Sequence, residues 1–339
     1  MLLKEIIEFK NGKKKPSTNG KIPIYGGNGV LGYTDQSNYD GETLIVGRVG
    51  AYCGCVYSHY GKCWISDNAI VGKVIDGNDF YYCYYLLKRL NLNARHVGSG
   101  QPLMTQEILN SIEVNMPDYS IQKKIGKILK NIDDKINLNN EVNNNLYEEA
   151  VALYKDKFKG IEQGEKTIGE YMLPKRGKNL LTRDAVEGEI PVVAGGLGPS
   201  AYHNQSNTKS PVITISASGA NAGYTNLWNI PVWASDCSYI DESITKNVYF
   251  WYIVLKTRQN EIFDAQTGSA QPHIYPQHIA EMPIDVLNDD EVEKYNTLVE
   301  PLFKMIGNNK TENIKLSQLR DALLPKLMNG EIDLDNIEI

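Results

Sequence analysis

From Ser120 to Phe158 the apolar residues fall at Ile121, Ile125, Ile128, Ile132, Val142, Leu146 and Leu153, in steps of three and four broken by polar positions. The same frame further on gives Tyr295, Leu298, Leu302, Met305, Leu316, Leu319 and Leu323. Such spacing predicts two long helices, each with one narrow apolar stripe. Forty helical residues extend about 60 Å, too long for one small domain to cover, so each helix requires the other as partner. If they run antiparallel their midpoints coincide, and the polar interruptions Asn139 and Asn309 meet near the crossing. A buried Asn pair would penalise slipped registers; the competing reading is two unrelated solvated positions. Pro301 predicts a kink or a delayed start of the second helix, and Pro325 its last turn.

The segments before these helices have a different texture. Thr43 to Val49, Ile70 to Ile75 and Val212 to Ser216 are β-branched or alternating runs bounded by glycine turns, and read as short strands. Phe80 to Leu90 and Val248 to Arg258 are apolar runs whose length favours helix over strand. These segments are also copies. Shifting the chain by 169 aligns residues 26–89 with 195–258 without a gap, and 17 of 64 pairs are identical, against about four expected by chance. Gly26, Gly27 and Gly29 fall on Gly195, Gly196 and Gly198, Tyr33 on Tyr202, and Trp64, Ser66 and Asp67 on Trp233, Ser235 and Asp236. At a shift of 170, Gly98-Ser99-Gly100-Gln101-Pro102 meets Gly268-Ser269-Ala270-Gln271-Pro272. The order is therefore mixed domain, helix, mixed domain, helix, an α+β chain with an internal repeat. The boundaries expected are 1–118, 119–160, 161–288 and 289–330, with a tail at 331–339.

Composition narrows the class. In 339 residues, 42% are hydrophobic and 22% charged, which describes a globular chain of two ordinary domains rather than a disordered or fibrous one. No apolar run approaches a membrane span, the N-terminal residues lack the order of a secretory signal, and the expected location is the cytoplasm. Five cysteines are an odd number in a chain too long to need disulfide staples. The net charge of −6 argues at first against nucleic acid, but residues 1–158 carry 19 Lys and Arg against 17 Asp and Glu, while residues 159–339 carry 16 against 24. The sum thus describes no single face.

Enzyme signatures are sparse. The glycine clusters lack the phosphate-loop ending and the dinucleotide spacing. Asp67 and Asp236 keep step, but no second carboxylate or lysine does so with them, so each reads as a turn cap. Cys53, Cys55, His59 and Cys63 have zinc-ligand chemistry, yet their partners in the second copy are Ala222, Tyr224, Trp228 and Val232. Buried cysteine is the simpler account, and neither metal nor cofactor is expected. Basic residues do keep step. Lys10-Asn11-Gly12-Lys13, with Lys14 and Lys15, precedes Ile22-Pro23, and Lys175-Arg176-Gly177-Lys178, with Arg183, precedes Ile190-Pro191. A cationic glycine turn suits a phosphate backbone; a solvated loop is the alternative. Side chains able to read base edges are Arg48, Arg95, His96 and Gln101 in the first copy and His203, Asn204, Gln271 and His273 in the second. The tyrosines around Tyr81 to Tyr85 suit base stacking, or equally a core.

This arrangement resembles the specificity subunits of type I restriction-modification systems. The likeness is carried by two unlike mixed domains each followed by a long helix, by Gly-Ser-x-Gln-Pro before each helix, by Ile22-Pro-Ile-Tyr-Gly-Gly-Asn-Gly-Val-Leu-Gly-Tyr33, and by the ending Leu319-Arg-Asp-Ala-Leu-Leu-Pro-Lys-Leu-Met-Asn-Gly-Glu-Ile332. The resemblance implies two target recognition domains separated by a pair of long antiparallel coiled-coil helices, pseudo-twofold symmetric. Each domain would read one half of a split site on double-stranded DNA. The helix pair, with Ile125, Ile132, Asn139, Leu146, Leu302, Asn309, Leu316 and Leu323 on its seam, would set the spacer and dock methyltransferase subunits. Those subunits carry the adenine methylation and bind S-adenosylmethionine, restriction subunits join the complex, and the chain itself would be non-catalytic. It is short and acidic for that family, which predicts weak DNA binding by the chain alone. The rival readings are a specificity subunit of a related fused restriction system, a duplicated nuclease or transferase, and a glycan-binding protein on a helical stalk.

Overall fold

A computed structural model describes the chain except Ser99, Ser269, Ala270 and residues 335–339. Part of each Gly-Ser-x-Gln-Pro segment and most of the tail therefore lie outside the described residues. The chain is α+β and divides into two compact units. Unit 1 holds residues 1–136 and those from 314 onward; unit 2 holds residues 137–313.

Unit 1 contains strands β1 (Ile7–Asn11), β2 (Ile22–Gly26), β3 (Gly29–Thr34), β4 (Thr43–Gly47), β5 (Val56–His59), β6 (Trp64–Ile65) and β7 (Ala69–Val74). They form an antiparallel sheet in the order β1-β7-β4-β5 and a smaller sheet β3-β2-β6, in which β2 and β6 are parallel. All five residues of β4 are buried, because both faces of this central strand are covered. Leu44 and Val46 pack with helix α1 (Phe80–Arg89), and Ile45 packs on the opposite side with Ile65, Ala69 and Val71, as the alternation of side chains along a strand requires. The run at 80–89 is a helix, as its length suggests. Asp79 caps it by accepting the Tyr82 N–H at 2.8 Å, and its apolar face buries Phe80, Tyr82, Cys83, Tyr85, Leu86 and Leu87. A short helix α2 (Gln106–Asn110) precedes the long helix α3 (Tyr119–Lys157).

Unit 2 repeats the plan. Its strands are β8 (Lys166–Thr167), β9 (Lys175–Arg176), β10 (Ile190–Val193), β11 (Pro199–His203), β12 (Val212–Ser216), β13 (Thr225–Trp228), β14 (Trp233–Ala234) and β15 (Cys237–Asp241). Helices α4 (Val248–Thr257), α5 (Gln259–Asp264) and α6 (Pro276–Ala280), strand β16 (Pro283–Ile284) and the long helix α7 (Asp289–Met328) follow. Sheets β9-β15-β12-β13 and β11-β10-β14 match those of unit 1 strand for strand, and β16 pairs with β8. Helix α4 is buried at every residue from Val248 to Leu255. A helix apolar all round needs cover on every side. Here Ile213, Ile215 and Leu227 of the sheet, Tyr154, Tyr295 and Phe303 of the long helices and Phe158 just after α3 join it in one core.

Within each unit the long-helix segments run in opposite directions. In unit 1, Lys124 Nζ donates to the Leu334 carbonyl at 2.7 Å and Arg320 pairs with Asp133 at 2.6 Å. Asp133 also accepts the Tyr85 hydroxyl at 2.6 Å, tying both helices to α1. In unit 2, Asn139 Nδ2 donates to Glu312 at 2.7 Å and to Asn313 at 2.8 Å, and Asn309 Nδ2 donates to Asn143 at 2.8 Å.

Three expectations are corrected here. Asn139 and Asn309 do not pair with one another; each bonds a residue one turn removed from the other, although Asn139 is buried as the register argument requires. Leu298 and Met305 are exposed, because the buried face of α7 in unit 2 follows Val292, Tyr295, Val299, Phe303 and Ile306, a broad stripe facing a domain core rather than a narrow seam; Leu319, in unit 1, is exposed as well. Pro301 neither ends nor delays α7, which runs unbroken from Asp289 to Met328; the proline lies on the exposed face, beside turns anchored by Val299 and Phe303. Pro325 does sit in the last turn, where its carbonyl accepts the Asn329 N–H. The eight seam residues named above are all buried or half-buried.

Burial pushes three thiols up from their ordinary value of 9.0, Cys63 to about 11 and Cys83 and Cys237 to about 12. The unfolded chain ionises these groups first, so their contribution to stability is intact below pH 9 and is lost as pH rises through 11 to 12. Denaturant midpoints should hold near neutrality and fall above pH 9, and Cys63→Ala should shallow that fall.

Candidate nucleic-acid interface

Two sequence motifs that looked independent prove to be one structure. The cationic glycine turn after β1 lies against the strand that carries Trp64. Lys13 N–H donates to the Ile65 carbonyl at 2.9 Å, Gly12 N–H to the Ala69 carbonyl at 3.0 Å, and Trp64 Nε1–H returns to the Lys13 carbonyl at 3.3 Å. Unit 2 builds the same clasp. Lys178 N–H donates to the Ala234 carbonyl at 2.9 Å, and Trp233 Nε1–H donates to the Lys178 carbonyl at 2.8 Å. The glycine is required by proximity. A β-carbon on Gly12 would lie 1.9 Å from the Ser66 carbonyl oxygen, and one on Gly177 would lie 2.5 Å from those of Ala234 and Ser235.

A second set of backbone bonds gathers three loops beside this clasp. In unit 1, Arg48 N–H donates to the Asn68 carbonyl at 2.9 Å, Met104 N–H to the Arg48 carbonyl at 2.8 Å, and Gly50 N–H to the Pro102 carbonyl at 3.0 Å. In unit 2, Ala217 N–H donates to the Asp236 carbonyl at 3.2 Å, Ile274 N–H to the Ala217 carbonyl at 2.9 Å, and Gly219 N–H to the Pro272 carbonyl at 3.1 Å. The loop after the central strand, the turn after the tryptophan and the Gln-Pro loop thus converge in both units. The side chains on this frame differ between them. Arg48 Nη1 donates to the Asp67 carbonyl at 3.1 Å. Position 217 is alanine, but Arg176 reaches the corresponding turn and pairs with Asp236 at 2.5 Å, while the Ser218 hydroxyl bonds the other carboxylate oxygen. Asp236 is therefore a ligand for two side chains and not a simple turn cap.

The remaining candidates fall into groups. Lys10, Lys13, Lys14 and Lys15 are exposed, Lys10 paired with Glu8 at 2.8 Å. Lys175, Lys178 and Arg183 are exposed, Lys175 bonding Ser243 and Arg183 lying 3.6 Å from Asp184. Gln101 and Gln271 are exposed on the Gln-Pro loops, and His273 is half-buried, its ring stacked 6.1 Å from that of Tyr275. Arg95 folds back to the Leu90 carbonyl at 3.1 Å and lines a cavity of about 630 Å³ with Tyr82, Arg89 and Asn91. His203 is not on the surface: it is 7% exposed, accepts the Val186 N–H at 2.9 Å, and packs edge-on against Trp233. Its polarity serves the hairpin, which is why residue type alone misplaces it. Cys53 and Cys63 belong to separate core clusters, and among the described residues no three His, Cys, Asp or Glu side chains are grouped to hold a metal.

Comparison with known proteins places this geometry. The family model for the type I restriction modification DNA specificity domain matches residues 1–148. A type I specificity subunit of Methanocaldococcus jannaschii, that of the enzyme MjaIX, is 25% identical across 99% of this chain and 93% of its own length. Along nearly its whole length the chain is thus similar to type I specificity subunits. The EcoprrI specificity subunit of Escherichia coli is 33% identical, over 35% of this chain and 30% of its own, so the match spans under a third of that relative. The crystal structure of a type I restriction-modification S subunit from M. genitalium has the same fold, with a TM-score of 0.66 at 21% identity over 96% of this chain and 95% of that one.

Two features of the site were not legible in the sequence. The tryptophan indoles were visible as repeat identities but not as clasps. Tyr33 and Tyr202, also identical in the repeat, are 57% and 51% exposed; an aromatic retained in both copies on an exposed strand is a signal for contact rather than core. The clasp gives a direct test. Gly12→Ala should cost about 1–3 kcal/mol through forced displacement of packed backbone, whereas Gly100→Ala, whose β-carbon meets nothing within 4 Å, should leave the urea midpoint unchanged.

Proposed function

We propose that this specificity subunit reads a split sequence on double-stranded DNA, each unit taking one half with its converged loops. The observation that carries this reading is one loop frame built twice, with two of its three backbone hydrogen bonds at aligned positions and the third displaced by one residue, and furnished with different side chains. Equal frames with unequal chemistry suit two half-sites of unlike sequence. Exposed lysines on the glycine turns would neutralise phosphates and fix orientation, while Arg48, Arg176, Gln101 and Gln271 face base edges. Tyr33 and Tyr202 add apolar contact to sugar or base.

The internal repeat and the resemblance to type I specificity subunits support the remainder of the reading. Two target recognition domains, within 1–118 and 161–288, are joined by the helix pair at 119–160 and 289–330, related by an approximate twofold axis. A pair about 60 Å long can hold two domains one DNA turn, roughly 34 Å, apart or more. The same helices dock methyltransferase subunits, restriction subunits join through the complex, and the chain performs no catalysis of its own. No described helix is long and apolar enough to cross a membrane, and the reading places the protein with its DNA in the cytoplasm.

Methylated-adenine mapping of DNA from cells carrying this chain with its neighbouring methyltransferase tests the proposal. A bipartite motif is expected, absent when this gene is deleted. Inserting one heptad into each long helix should change the spacer and keep both half-sequences. A changed half-sequence, or methylation indifferent to deletion of the gene, would refute the reading.

A further inference from the structure

In both units an arginine is brought to the turn that follows the repeated Trp-x-Ser-Asp segment, yet the two arginines occupy different positions of the repeat. The central-strand loop supplies Arg48 in unit 1, where unit 2 has Ala217 at the aligned position. The glycine turn supplies Arg176 in unit 2. The common clasp aligns Gly12 with Gly177 and Lys13 with Lys178, so the residue of unit 1 matching Arg176 is Asn11. Each copy lacks the arginine where the other has it. Two independent substitutions that leave one guanidinium at one turn are explained most simply if the place, and not the position in sequence, is what function requires.

Resting on the DNA-reading proposal above, we propose that this turn is an arginine seat, that Arg48 and Arg176 are equivalent specificity-determining residues for the two half-sites, and that Asp236 with Ser218 is the positioning pair for Arg176. The geometry fits a reading role. Arg48 spends one N–H on the Asp67 carbonyl and Arg176 one nitrogen on Asp236. Each planar fork keeps donors for a base edge. The Arg176 and Asp236 side chains are 43% and 35% exposed, so the pair stands at the surface. The seats also differ in a way that bears on the half-sites. The unit 1 arginine is held by a neutral carbonyl, and the unit 2 arginine by a carboxylate that is itself an acceptor. A carboxylate beside a guanidinium offers an acceptor for a cytosine or adenine amino group next to the guanine contact.

The test uses the complete complex with its methyltransferase subunits, binding duplexes randomised in one half-site at a time. Arg48→Ala should weaken selection about ten- to a hundredfold at one or two base pairs of one half-site, and Arg176→Ala should do so only in the other. Asp236→Asn should shift base preference in the Arg176 half alone, with thermal stability unchanged. Adding Asn11→Arg to Arg48→Ala places an arginine where unit 2 carries it, on an exposed strand position, and should recover most of the lost selection. If the unsubstituted complex selects a bipartite sequence but the arginine substitutions leave both halves unchanged, or Asn11→Arg restores nothing, the seat is wrong and the DNA-reading proposal stands. If the unsubstituted complex selects no sequence, the DNA-reading proposal itself falls.

Discussion

The packing of helix α4, and of α1 in the first copy, is the constraint on which the other features depend. Val248 to Leu255 leave no polar side for water, and a four-stranded sheet covers only one flank of such a helix. The other flank is closed by aromatic rings: Tyr154 of one long helix and Phe158 just beyond its end, Tyr295 and Phe303 of the other, with the Tyr249 and Phe303 rings stacked 5.2 Å apart. In unit 1 the same office falls to Ile125, Leu129 and Leu327. The long helices are thus integral to the cores, since each unit is completed by a segment of both. Within each unit, the sheet, its helix and the long-helix segments therefore share one core.

This division of labour also accounts for the loop face. With the sheet's inner side committed to α1 or α4, its far end is free to carry the clasp between glycine turn and tryptophan strand. Backbone hydrogen bonds gather the three loops there in both units, and side-chain bonds that differ between the units are added to them. Side chains on that frame can change without unbuilding it, as the exchange of Arg48 for Ala217 and of Asn11 for Arg176 illustrates. The frame is specified by glycines and one indole, and the chemistry by whatever surrounds them.

Much of this was legible in the residues themselves. The duplication, the long helices, the identity of strands β4, β7 and β12, and the helical nature of 80–89 all follow from periodicity and alignment. What escaped is physical in origin. A heptad frame assumes a narrow seam between two helices, but α7 presents a wider face to a domain core, so Leu298 and Met305 came out exposed and Val299 and Phe303 buried. The Asn register missed by one turn because aromatic packing beside α4 also fixes how the helices align, and equal midpoints do not. His203 misled because a histidine that caps a hairpin N–H has the same residue type as one that meets a base. The Arg176–Asp236 pair joins residues 60 positions apart, a proximity that only the folded sheet supplies.

The division into units has a consequence for how the molecule is made. Unit 2 is one uninterrupted stretch of chain, whereas unit 1 joins the opening residues to those from 314 onward, and its core includes Leu327 and Leu334. On the ribosome, where domains ordinarily close in the order they emerge, the unit that starts earlier in this sequence is the later of the two that can be finished. Its apolar surfaces stay open until Leu327 and Leu334 have been made, so a nascent chain released before them would carry a folded second unit and a first unit that cannot seal.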